Sequence, residues 1–103
     1  MIRLGVNTVL FKQFDLATAA RMIAKAGYDG IELAAIHGMC EHLDVMRWQE
    51  QKDEILSIAK ENGLKLLSME VATLEEERLT AALEAAAGLG VPIVNVGPGG
   101  KKD

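Results

Sequence analysis

The stretch Ala26-Gly27-Tyr28-Asp29-Gly30-Ile31-Glu32-Leu33-Ala34 decides the fold. A helix ends on Gly27, the residue type that most easily takes the left-handed turn of a helix stop, and a short apolar strand follows almost at once. The same phrase returns twice downstream. Ala59-Lys60-Glu61-Asn62-Gly63 runs into Leu64, and Ala86-Ala87-Gly88-Leu89-Gly90 runs into Val91. Strands joined by helical crossovers pair in parallel, and the crossovers are right-handed with their helices laid over the sheet.

Outward from these junctions, each helix has a start signal and an apolar stripe. The first opens at Asp15, a good N-cap, and buries Leu16, Ala19, Ala20, Ile23 and Ala26. The second runs from about Val45 to Glu61, with Trp48, Ile55, Ile58 and Ala59 on one side. The third begins with a capping-box pattern, Thr73-x-x-Glu76, and its predicted buried stripe is Leu79, Ala82, Leu83, Ala86 and Leu89. The predicted strands are Arg3 to Val9, Gly30 to Ala34, Leu64 to Met69 and Val91 to Val96. The fold expected is therefore α/β, a parallel β-α-β-α-β-α-β array forming one domain over residues 1–103. A closed (β/α)8 barrel needs about 250 residues. The last strand runs into Gly97-Pro98-Gly99-Gly100 with no helix behind it, so the expectation is about half of such a barrel.

Side chains alternate faces along a strand, and the phase of the polar residues shows what each strand points away from the helices. Leu4 and Val6 oppose Gly5 and Asn7, and Ile31 and Leu33 oppose Glu32 and Ala34. Leu67 and Met69 oppose Leu66, Ser68 and Glu70, while Val94 and Val96 oppose Ile93, Asn95 and Gly97. Asn7, Glu32, Ser68, Glu70 and Asn95 thus share one face, in the middle or towards the C-terminal end of their strands, where barrel enzymes build their sites. Burying an amide or carboxylate without a partner costs ~1–3 kcal/mol or more. Two readings follow: the groups pair with one another as pure structure, or they form a polar half-site for a hydroxylated small molecule. Glu32 and Glu70 matter most to the second, because an unpaired inward carboxylate needs a cation or a hydroxyl to meet it.

Other features carry less. His37, Gly38, Met39, Cys40, Glu41 and His42 put two histidines, a thiol and a carboxylate in one loop, but the spacing matches no zinc pattern. The readings left are a lid or substrate contact from His37 or His42, or a plain surface loop with a half-buried Cys40. The Gly97–Gly100 run lacks the lysine-hydroxyl pair of a phosphate loop and the glycine spacing of a dinucleotide site. Trp48 reads as a packing residue. Half of the chain is apolar and a quarter charged, with 15 acidic against 11 basic residues, so neither a nucleic-acid nor a membrane-surface partner is expected. Lys101-Lys102 reads as a solvated end. Cys40 is the single cysteine, which points to a reducing compartment. The opening residues lack a signal peptide's apolar run and cleavage site, and no segment approaches the ~18 apolar residues of a membrane span. The expected location is cytoplasmic.

The sequence resembles the xylose isomerase-like TIM barrels, a family of sugar-phosphate isomerases and epimerases that also includes the second family of AP endonucleases. The resemblance is carried by Leu4-Gly5-Val6-Asn7-Thr8 and Ala26-Gly27-Tyr28-Asp29-Gly30-Ile31-Glu32-Leu33, then by Ala59-Lys60-Glu61-Asn62-Gly63-Leu64 and Ala87-Gly88-Leu89-Gly90-Val91-Pro92. It covers the N-terminal half of a family member. It implies a metal-dependent hydrogen shift between neighbouring carbons of a sugar, on a divalent ion, often manganese, held by Glu, Asp, His and Glu of later strands. No metal ligand or principal catalytic carboxylate is carried over to this chain, and no cofactor is expected for it alone. The first four strands of the family line the substrate pocket. Gly97 stands where the nuclease branch has a metal-binding histidine, and Met69-Glu70 where it has another, which favours the sugar branch.

The function expected is thus the N-terminal part of a metal-dependent sugar or sugar-phosphate isomerase or epimerase. The chain would supply a pocket wall from Asn7, Glu32, His37, His42, Ser68, Glu70 and Asn95, bind a small-molecule sugar and be inactive alone. The alternative is a stand-alone α/β binding or assembly module. Exposed sheet edges make self-association the expectation in either case.

Overall fold

The computed structural model describes residues 4–96. Arg3 of the predicted opening strand, the Gly97–Gly100 run and the Lys101-Lys102 pair lie outside them. The fold is α/β with a mostly parallel sheet. Strands β1 (Gly5–Asn7), β2 (Gly30–Ile36), β4 (Lys65–Glu70) and β5 (Val94–Asn95) pair in parallel in the order β1-β2-β4-β5. A short β3 (Cys40–Glu41) folds back antiparallel on β2. Helices α1 (Leu16–Lys25), α2 (Trp48–Glu61) and α3 (Glu76–Leu89) are the three crossovers.

Each parallel neighbour is added on the same side of the last, and right-handed crossovers then place every helix over one sheet face. The core has that form: Leu16, Ala20 and Ile23 of α1, Ile55 and Ile58 of α2, and Ala82, Ala85, Ala86 and Leu89 of α3 meet Ile31, Leu33 and Met69 in a single cluster. The opposite face carries no helix of this chain among the described residues.

Several local expectations hold, with physical reasons. Asp15 Oδ1 accepts from Thr18 N–H at 2.8 Å and caps α1. Gly90 ends α3 in the left-handed region at φ 75°. Trp48 is a packing residue: a Cβ on Gly88 would come within 2.2 Å of its ring, so the missing side chain is what lets α2 and α3 approach.

Others are corrected. The first strand is only Gly5–Asn7, because Asn7 Oδ1 accepts from Val9 N–H and turns the chain into a 3-10 helix, Thr8–Phe11. Residues 45–47 are likewise a 3-10 turn ahead of α2, with Asp44 accepting from Met46 N–H. The capping box does not form: Thr73 Oγ1 accepts from Glu75 N–H, one residue short of Glu76, and Glu75 is the N-cap without a side-chain bond. Leu83 is 58% exposed and Ala85 takes its place in the core, since the stripe that faces the sheet is centred on Ala82, Ala85, Ala86 and Leu89. The final strand has shrunk to two residues, with Ile93 exposed.

The most consequential correction concerns β4. Ile31 pairs with Leu66, but Glu32 pairs with Ser68, so Leu67 is an extra residue in the strand. A bulge of this kind reverses the alternation. Leu66 therefore packs against the helix-side core, whereas Leu67 turns to the uncovered face, opposite to the expected phase.

Candidate functional site

Register aligns the polar residues in two rows. Asn7 lies beside Glu32, and Glu32 beside Ser68; one step towards the C-terminal ends, Ala34 lies beside Glu70, and Glu70 beside Asn95. Hydrogen bonds then stitch the rows together. Asn7 Nδ2 donates to Glu32 Oε1 at 3.2 Å and to Glu70 Oε1 at 2.5 Å. Asn95 Nδ2 donates to Glu32 Oε2 at 2.5 Å. The bond from Asn7 to Glu70 crosses β2, and the bond from Asn95 to Glu32 crosses β4. Neighbouring strands lie about 4.8 Å apart, so each crossing needs two extended side chains over a low intervening position. Ala34 provides the low position on β2.

The amide of Asn7 cannot turn over without loss. Its Oδ1 holds Val9 N–H at 2.9 Å, which orients both Nδ2 hydrogens at the carboxylates. Thr8, fully buried, fixes the same corner: its Oγ1 accepts from Ala34 N–H at 2.9 Å. Ala34 C=O accepts from Leu43 N–H on the same edge, so the β3 hairpin continues along the β2 edge that β1 leaves. Past Glu70, the chain leaves β4 through Ala72 at φ 51°. A side chain held there costs roughly 1 kcal/mol, a local strain set directly behind the site.

Beneath the network the floor is apolar. Gly5 and Gly30 are register partners, and a Cβ on either would come within 2.5 to 2.7 Å of the Leu67 side chain. The two glycines leave the space that Leu67 occupies. Gly5, Val6, Asn7, Glu32, Leu67 and Ser68 line a shallow cleft of about 240 Å³. Ser68 is nine-tenths buried, and its hydroxyl has no hydrogen-bond partner among the described residues.

His37 and His42 stand apart from this cleft. The loop after β2 is a tight hairpin rather than an open loop, with Gly38 at φ 85°. His37 Nδ1 lies 3.3 Å from Glu41 Oε2 on the surface. His42 Nε2 donates to the Phe14 carbonyl at 2.8 Å, and Nδ1 lies 3.4 Å from Cys40 Sγ. A carbonyl only accepts, so Nε2 carries a proton, and in the neutral ring Nδ1 accepts from the thiol. Burial pushes the Cys40 thiol up, which is the reverse of an activated nucleophile. His42 faces a different cleft, between α1 and α2, with Asp15, Gln51 and Glu54.

Among the described residues no three His, Cys, Asp or Glu side chains converge as metal ligands. Both oxygens of Glu32 already accept an amide N–H, so a cation there would have to share them with those donors. These residues do not fit the divalent ion of the resemblance. No helix among the described residues is long and apolar enough to cross a membrane. The roles of Leu67 and Thr8 have no local signal in the sequence, because a bulge leaves none, although two glycines in facing strands hint at a side chain crossing them. No protein-family model matches the sequence, and no curated protein matches it.

Proposed function

We propose that the chain forms the substrate-pocket wall of a sugar isomerase or epimerase built on a (β/α) barrel. The observation that carries this reading is the network of Asn7, Glu32, Glu70 and Asn95 over the Leu67 floor, on the one sheet face without helices. A sugar has an apolar C–H face and a rim of hydroxyls, and the wall offers a side chain for the first and oriented polar atoms for the second. Strands in chain order with helices on one side are the local architecture of a barrel segment, in which inward residues form layers and the C-terminal ends hold the site. The chemistry belongs to groups beyond this wall, so the chain alone is expected to be inactive.

The test is interconversion of ketoses with their epimers and aldoses, followed by NMR with Mn2+ present, in the protein that carries this chain. Alanine at both Glu32 and Glu70 should cost about tenfold or more in turnover or sugar affinity, in line with hydrogen bonds to charged groups. Unchanged turnover and affinity in that double variant sinks the proposal.

A second reading, a binding or assembly module without catalysis, draws on the sheet's outer strands β1 and β5, on exposed Ile93 beside β5 and on exposed Leu83 of α3, the helix that packs against β5. Both readings expect self-association through those edges. Light scattering on the purified chain tests it, and a well-folded monomer at all concentrations counts against it.

A further inference from the structure

The hydrogen-bond inventory of the wall is lopsided. Both Nδ2 hydrogens of Asn7 are consumed by Glu32 and Glu70, and Asn95 spends one of its two on Glu32. Glu32 accepts on both oxygens. Left without a partner among the described residues are Glu70 Oε2, Asn95 Oδ1, the second Nδ2 hydrogen of Asn95 and the hydroxyl of Ser68, which is nine-tenths buried and lines the cleft. Of the amide hydrogens only one, on Asn95, is left over, and carboxylate and carbonyl oxygens make up most of the rest. Neither the network nor the cleft lining contains a lysine or arginine.

We propose that this wall is read by hydrogen-bond donors: it takes the hydroxyl groups of an uncharged polyol and excludes a phosphoryl group. Hydroxyls of the ligand donate to Glu70 Oε2 and Asn95 Oδ1, while Ser68 Oγ donates or accepts as the ligand requires. A phosphoryl group brings acceptor oxygens and negative charge against two carboxylates, with no cation to meet it. Glu32, bonded by an amide on each oxygen, is a positioning residue that holds Asn7 and Asn95. Glu70 is the carboxylate that touches the ligand. The inference rests on the pocket-wall reading and narrows it to the unphosphorylated sugar.

The experiment is titration of the 15N-labelled full chain with D-fructose and with D-fructose 6-phosphate, read at the Ser68 and Glu70 backbone amides and the Asn95 side-chain amide. D-fructose should shift these signals, and the 6-phosphate should bind about tenfold more weakly. Glu70→Gln keeps an oxygen for Asn7 and turns an NH2 outward, converting the free acceptor into a donor. Its spectrum reports that it is folded. D-fructose should lose about tenfold in affinity in that variant, and the preference over the phosphate should narrow. Equal or tighter binding of the 6-phosphate by the wild type overturns this inference alone, as does a Glu70→Gln variant with both affinities unchanged. No shift with either sugar overturns the pocket-wall reading and this inference with it.

Discussion

The two faces of this one sheet are built on opposite principles. The helix-covered face is held by Ile31, Leu33 and Met69, all fully or almost fully buried, and its bonding is non-directional. The uncovered face is held by three directional bonds, two of which cross a whole strand, and it depends on small residues, Gly5, Gly30 and Ala34, staying out of the way. The first arrangement tolerates repacking at a cost in stability. The second loses its geometry if a single low position is filled. That contrast is what the pocket-wall proposal rests on.

The comparison breaks most visibly on the covered side. Leu33→Ala should destabilise the chain by about 2–5 kcal/mol in chemical denaturation, as for other cavity-forming core truncations. On the uncovered side Gly30→Ala should cost roughly 1–3 kcal/mol, because the new Cβ meets Leu67 and also the Lys65 carbonyl oxygen at 2.8 Å, which cannot swing aside. Asn7→Ala should cost about 1–2 kcal/mol, removing the bridge between the carboxylates and the cap on Val9 N–H together. A crystal or NMR structure of that variant should also show Glu32 and Glu70 separated; retention of their placement would mean that the amide is incidental.

A smaller effect follows on acidification. The bonds from Thr18 hold the Asp15 carboxyl below its ordinary range, with Arg21 and His42 adding to it. A folded pKa depressed below the unfolded one means stability that is present at neutral pH and lost as pH falls through the folded value. Asp15→Asn, still a good cap, should therefore match the wild type at neutral pH and lose less stability below pH of about 4. Smallest of all, Leu83→Glu should change monomer stability by less than about 0.5 kcal/mol, since the side chain is largely exposed. If the same substitution weakens self-association measured by light scattering, the β5 side of the sheet is the contact.

The repeated helix-stop-strand phrase made the order of elements legible because end signals are local: a cap at Asp15, left-handed glycines at Gly27, Gly63 and Gly90. The shared face of Asn7, Glu32, Ser68, Glu70 and Asn95 was legible for a similar reason, as strand alternation needs no partner to be read. Which of them touch was not. Asn7 and Glu70 are 63 positions apart, and their bond exists only because β2 lies between them with alanine at the crossing.

Leu83 shows where local periodicity fails. Leu79, Ala82, Leu83, Ala86 and Leu89 form one acceptable apolar stripe, yet the approach of α2 through Trp48 and Gly88 rotates the buried side towards Ala85. Leu67 shows it more sharply, because one inserted residue in β4 reverses a face without altering composition or pattern. Composition, caps and alternation were enough for an α/β chain with one polar sheet face, since each acts over a few residues. The bulge, the amide bridge and the cleft came from strands meeting across the sheet, where register and packing outweigh any preference carried by a single segment.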